Sequence, residues 1–281
     1  PAAMGSQRFS ERAEEARRAQ WRLNDLPWDE RIRLAGDSRR ERLLAKLDLL
    51  GACEALYHLK LGARSRAGTL YFHTWKQDDP IIECLEWLDT DELRHLRTLR
   101  RLIQTVHSSE QEDIEAKPHA DPTRMWRVGR NPRGGPSSLE AEVLRALVDE
   151  ATTRCLLSTI SRQSRVPIVR AAFSSCARDD GRHIAFLSDL AKLSLNHDDT
   201  MHVVRMQGVV LRHIARIQSS LRPYFRVFAA VTDATIDNVA SEVFRAVSAV
   251  VADLGTPWVR YPTARVIHEA DRSPWMLWLL R

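Results

Sequence analysis

Asp91-Glu92-Leu93-Arg94-His95 and Asp179-Asp180-Gly181-Arg182-His183 decide the reading of this chain. Each follows the pattern acid-acid-x-Arg-His, and each sits in a stretch with helical apolar spacing. Side chains three apart on a helix share a face, one turn apart. Glu92 therefore stands with His95, on a line that also holds Leu85, Leu88, Leu99 and Leu102. Asp180 stands with His183, on a line with Val169, Phe173, Cys176 and Leu187. Carboxylates on apolar faces are costly to bury unless they are paired or bind a cation. Ten His and 37 acids in 281 residues give roughly 1.3 acid-x-x-His pairs by chance. The chain holds three, and the third, Asp199/His202, reads as a surface pair at a helix start.

Working outward, a lone acid on an apolar line precedes each motif, Glu54 by 38 residues and Glu150 by 30. Glu54 lies on the line Leu43, Leu47, Leu50, Tyr57 and Leu61; Glu150 lies on Val143, Leu147, Thr153, Leu157 and Ile160. The pattern predicts helices at about 38–64, from Pro80 to about 106, at about 138–163 and from Pro167 to about 195. Lone carboxylates alternating with acid-x-x-His pairs make the ligand set of a two-metal site in a four-helix bundle. Four carboxylates would balance two divalent ions, with neutral His95 and His183 completing the set. Mixed carboxylate and imidazole donors suit iron or manganese better than zinc.

On these residues the chain resembles the ferritin-like diiron carboxylate proteins over about residues 40–195, and within them the acyl-carrier-protein desaturases and the arylamine N-oxygenases. The resemblance implies an all-α ferritin-like bundle and a metal site of Glu54, Glu92, His95, Glu150, Asp180 and His183. It implies two Fe ions, with Mn as the alternative, O2 as co-substrate and an external electron donor. The activity implied is a diiron monooxygenase or oxidase that hydroxylates or N-oxygenates a small or carrier-bound molecule; an acyl desaturase is the alternative. It also implies that Asp179 orients His95 and Asp91 orients His183, with Asp149 competing and Arg94 and Arg182 pairing with these acids. There are two departures. Asp180 stands where Glu is usual, and Cys176 stands where N-oxygenases carry an additional His. His58 and Tyr57, beside Glu54, are further candidates at the pocket edge.

Composition agrees with a helical globular chain: 44% hydrophobic, 28% charged and only 11 Gly. Lys+Arg exceeds Asp+Glu by five, 42 against 37, with the basic residues dispersed rather than in runs. That dispersal reads as solvated helix surface, and an Arg-rich RNA-interacting protein is the weaker alternative, as is an iron-handling ferritin relative. Cys53, Cys84, Cys155 and Cys176 are widely spaced and read as reduced core residues. A cytoplasmic protein with no membrane span is expected, with a redox partner and a homodimer as partner expectations. Residues 1–6 read as a cloning scar and 7–281 as one domain. Its bundle covers about 38–195, and further helices fall at about 199–221, 224–230 and 235–253. The Pro- and Gly-rich stretch 107–137 reads as a lid, and 256–281 as a Trp-rich tail.

Overall fold

The computed structural model describes residues 2–29, 32, 34, 36–74, 79–108, 138–195 and 199–254. Among them are seven α-helices and no strand: α1 (Ala2–Arg18), α2 (Arg39–Thr74), α3 (Asp79–Ser108), α4 (Leu139–Gln163), α5 (Pro167–Ser194), α6 (Thr200–Val231) and α7 (Ile236–Ala252). Residues 2–6, read as standing outside the fold, extend the first turns of α1. The lid expected at 107–137 and the tail at 256–281 lie outside the described residues, apart from 107 and 108 at the end of α3. No described helix is long and apolar enough to cross a membrane.

Local chemistry starts the helices where they start. Ser38 and Glu41 form a reciprocal cap on α2: the Ser38 hydroxyl accepts the Glu41 N–H at 3.1 Å, and the Glu41 carboxylate accepts the Ser38 N–H at 3.0 Å. Ser138 caps α4, Pro167 occupies the first turn of α5, and Thr235 caps α7. Asp199 caps α6, accepting the N–H groups of Met201 and His202 at 2.9 and 3.1 Å. The two helices expected at 199–221 and 224–230 are one. α6 runs through Pro223, which removes one intrahelical donor. Packing of α6 on α2, α4 and α7 holds the helix together across that gap.

Two hairpins, α2/α3 and α4/α5, build the bundle, with α2 against α4 and α3 against α5. α1 lies across α3 and α5, while α6 and α7 cover α4 from the other side. α4 is buried over most of its circumference, because four helices surround it. The core is continuous from Phe9 to Leu254, and each fully buried Leu, Ile, Val or Phe contributes about 1.5–3 kcal/mol by leaving water. The polar groups buried along the bundle axis have to be explained against that background.

Candidate metal centre

Four bundle helices each send charged side chains to one point. α3 supplies Glu92 and His95, α4 supplies Glu150, α5 supplies Asp180 and His183, and α2 supplies Lys60. Donor atoms of Glu92, Glu150, Asp180 and His183 all lie within 4.8 Å of one another. His95 Nδ1 stands 3.2 Å from Glu92 Oε1 and 3.6 Å from Asp180 Oδ1. His183 Nδ1 stands 3.3 Å from Glu150 Oε2 and 3.6 Å from Glu92 Oε1. The i, i+3 spacing on α3 and α5 brings each acid and its histidine inward together, and the two rings sit 6.1 Å apart.

The α2 position differs from the expected one. Glu54 is half-buried and is not among the four residues whose donor atoms lie within 4.8 Å of one another. Six residues on a helix of 3.6 per turn rotate by about 120°, and the position facing the centre is Lys60, which is 0% exposed. The inward line of α2 is Leu49, Cys53, Leu56, Lys60, Ala63, Ala67 and Leu70, all buried. Lys60 Nζ donates to Asp180 Oδ1 at 2.6 Å, Glu92 Oε1 at 2.7 Å and Glu150 Oε2 at 3.2 Å. Burial pulls this ammonium down, but Asp180, Glu150 and Glu92 outweigh it and hold its pKa well above the ordinary lysine value. Burial likewise raises Glu150, and Lys60 with His183 overcomes that and holds it low, at about 2. Thr153 donates to the second oxygen of Asp180 at 2.9 Å.

The outward nitrogens of the two imidazoles are held in a crossed arrangement. His95 Nε2 meets Asp179 Oδ2 at 2.9 Å, and His183 Nε2 meets Asp91 Oδ2 at 3.2 Å. Arg94 bridges Asp91 and Asp179 at 2.5 and 2.8 Å, and Arg182 pairs with Asp179. Trp21 donates its indole N–H to Asp179 at 2.9 Å and lies under the Arg94 guanidinium. Burial raises Asp179, yet His95, Arg94 and Arg182 more than offset it and leave its carboxyl well below the usual range. Asp149 turns away from this pair. It accepts from Arg66 at 2.7 Å and meets His213 Nε2 at 2.7 Å, while Arg66 also reaches Glu142 at 2.9 Å.

Cys176 is buried beside His95, one turn before Asp180. Tyr57 and His58 are half-buried on the same side of α2 as Glu54, and burial alone lowers the His58 pKa. The residues that sequence reasoning missed are Lys60, Trp21, Thr153, Arg66 and His213. A signal for Lys60 existed: it is one of five Lys among 42 basic residues and falls on the Leu49–Leu56–Ala63 spacing.

The donor atoms fit a transition metal of the iron or manganese type. With Nε2–H held by a carboxylate, each Nδ1 offers its lone pair inward. There it faces carboxylate oxygens at 3.2 and 3.3 Å, an arrangement that requires either a proton or a cation between them. Glu92 Oε2 is buried with no hydrogen-bond partner. The Lys60 ammonium draws on the same oxygens that a metal would use.

No protein-family model matches the chain, and no curated protein matches it. Solved structures do. An R2-like ligand-binding oxidase with a non-activated Mn/Mn cofactor aligns over 86% of this chain and 91% of its own, with TM-score 0.60 and 16% identity. Variants of such an oxidase carrying an Mn/Fe or an Fe/Fe cofactor align over the same shares, with TM-score 0.59 and 17% identity. What the chain shares with these structures is the fold, an all-α ferritin-like bundle.

Proposed function

We propose that this chain is an O2-using, metal-dependent oxidoreductase that oxidises a small or carrier-bound organic molecule, with electrons from an external donor. One observation carries the reading: two acid-x-x-His pairs and Glu150 converge with both inward imidazole nitrogens aimed at carboxylates and both outward nitrogens anchored. Glu92, Glu150, Asp180, His95 and His183 would hold the metal. Iron or manganese bound there supplies the redox steps that O2 chemistry needs and that no side chain here provides.

The chain's own residues set the conditions. Asp179 and Asp91 fix the orientation and tautomer of the two imidazoles, and Arg94 and Arg182 fix those carboxylates in turn. α1 packs over α3 and α5 at the outer end, and Trp21 donates to Asp179 there. A cavity of about 20 Å³ lined by Leu88, Asp91, Arg182, His183 and Phe186 has room for about one water-sized molecule beside the centre.

Anaerobic titration with ferrous iron, followed by air, tests this. Wild type should bind iron saturably and then consume O2 with a change in optical absorption, and His95→Ala and His183→Ala should each lose the metal. A folded wild type that takes up no iron or manganese, or loaded protein inert to O2, would defeat the reading. With labelled O2, label in the product supports oxygen insertion, and label only in water supports desaturation.

A further inference from the structure

The bundle centre holds a lysine where a fourth carboxylate was expected, and the difference in charge is large. Three inward carboxylates, Glu92, Glu150 and Asp180, carry three negative charges within a few ångströms of one another. Every other buried acid nearby has its own arginine. Asp91 and Asp179 are matched by Arg94 and Arg182, and Glu142 and Asp149 by Arg66 and Arg145. The inner triad has Lys60 alone as a permanent cation. With neutral imidazoles, two negative charges are left over, the charge of a single divalent ion. Two divalent ions beside the ammonium would leave the dry centre with an excess of two positive charges, and uncompensated buried charge is strongly unfavourable.

Position gives the same answer. Lys60 Nζ touches one carboxylate from each of α3, α4 and α5, as a bound ion would. A metal brought to that point would meet an ammonium of like charge. Further donors lie beside it: Glu92 Oε2 is buried with no hydrogen-bond partner among the described residues, and His183 Nδ1 stands 3.3 Å from Glu150 Oε2 and 3.6 Å from Glu92 Oε1.

We infer that Lys60 is a resident cation occupying one of two cation positions, so that this chain binds one divalent metal ion among Glu92, Glu150, Asp180, His183 and His95. The inference rests on the metal-binding reading above. It distinguishes this chain from the oxidases of the same fold, whose structures carry metal pairs.

The test is stoichiometry on the full chain, with ferrous iron under anaerobic conditions and separately with manganous ion. Wild type should saturate at one equivalent per chain. Its manganous form should show the electron paramagnetic resonance of an isolated ion, without exchange coupling. Lys60→Glu restores a fourth carboxylate and should raise the uptake to two equivalents with a coupled spectrum. The spectrum of wild type keeps the test open should Lys60→Glu fail to fold. Two equivalents or a coupled spectrum in wild type would overturn the inference and leave the oxidoreductase reading standing. One equivalent in both folded proteins would overturn the role given to Lys60. No uptake by wild type would overturn both readings together.

Discussion

Arg66 shows how strongly single charges are committed inside this bundle. Its guanidinium is 6% exposed and is shared between Glu142 at 2.9 Å and Asp149 at 2.7 Å. Asp149 is held at about 2: burial would raise it, and Arg66 and His213 outweigh burial. Removing one member of such a group leaves an unpaired buried charge, which costs about 3–5 kcal/mol. Arg66→Met should lower the free energy of unfolding by that order in urea denaturation, and Arg66→Lys should recover part of it. Arg66→Lys keeps the charge but loses the fork that reaches two acids at once. A loss under about 1 kcal/mol in Arg66→Met would show that the network relaxes around the gap. Of this network only Asp149 was visible in the sequence; Glu142, Arg66 and His213 were not. Arg is abundant in every segment, and nothing in the spacing separates Arg66 from the exposed arginines around it.

Among the elements, helix existence was legible and helix rotation was not, and α2 shows why. Leu43, Leu44, Leu47, Leu49 and Leu50 put apolar side chains on several sides, because α2 packs against α3, α4 and α6. A helix enclosed by neighbours has no single apolar stripe to read. The line through Glu54 was therefore as acceptable as the line through Lys60, and only packing separates them. α3 and α5 escaped the ambiguity because their acid-x-x-His pairs mark the inward face by chemistry rather than by hydropathy. Helix starts were readable for the same kind of reason. Asp199, taken from sequence for a surface residue at a helix start, accepts two backbone N–H groups of α6. Asp199→Ala should cost about 1 kcal/mol of stability, and Asp199→Ser should keep most of it. Equal urea midpoints for wild type and Asp199→Ala would mean that packing alone holds the first turn of α6.

Over the whole molecule, α1 and the turn after it act on the centre without touching it. Phe9 packs edge-on against Phe186 of α5 with ring centroids 5.9 Å apart, and Arg12 reaches Asp189 of the same helix at 3.1 Å. These contacts seat α1 so that Gln20 and Trp21 reach Asp91 and Asp179 at 3.3 and 2.9 Å. Those two acids hold the histidines, so docking of the N-terminal segment is coupled to the geometry of the donors. Phe9→Ala removes a side chain that is 3% exposed and should cost about 3–5 kcal/mol, much of it as undocking of α1. If the segment also seals the centre, a chelator should strip metal from Phe9→Ala faster than from wild type, although no donor has changed. Trp21→Phe keeps an aromatic ring, smaller than the indole, and deletes the N–H to Asp179. It should weaken metal binding less than Asp179→Asn, for which roughly 10–100-fold is expected of a partner hydrogen-bonded to a ligand histidine. Chelator rates identical across wild type, Phe9→Ala and Trp21→Phe would show that the four inner helices hold the site unaided. Faster stripping from both Phe9→Ala and Trp21→Phe than from wild type would place the seal in the N-terminal segment.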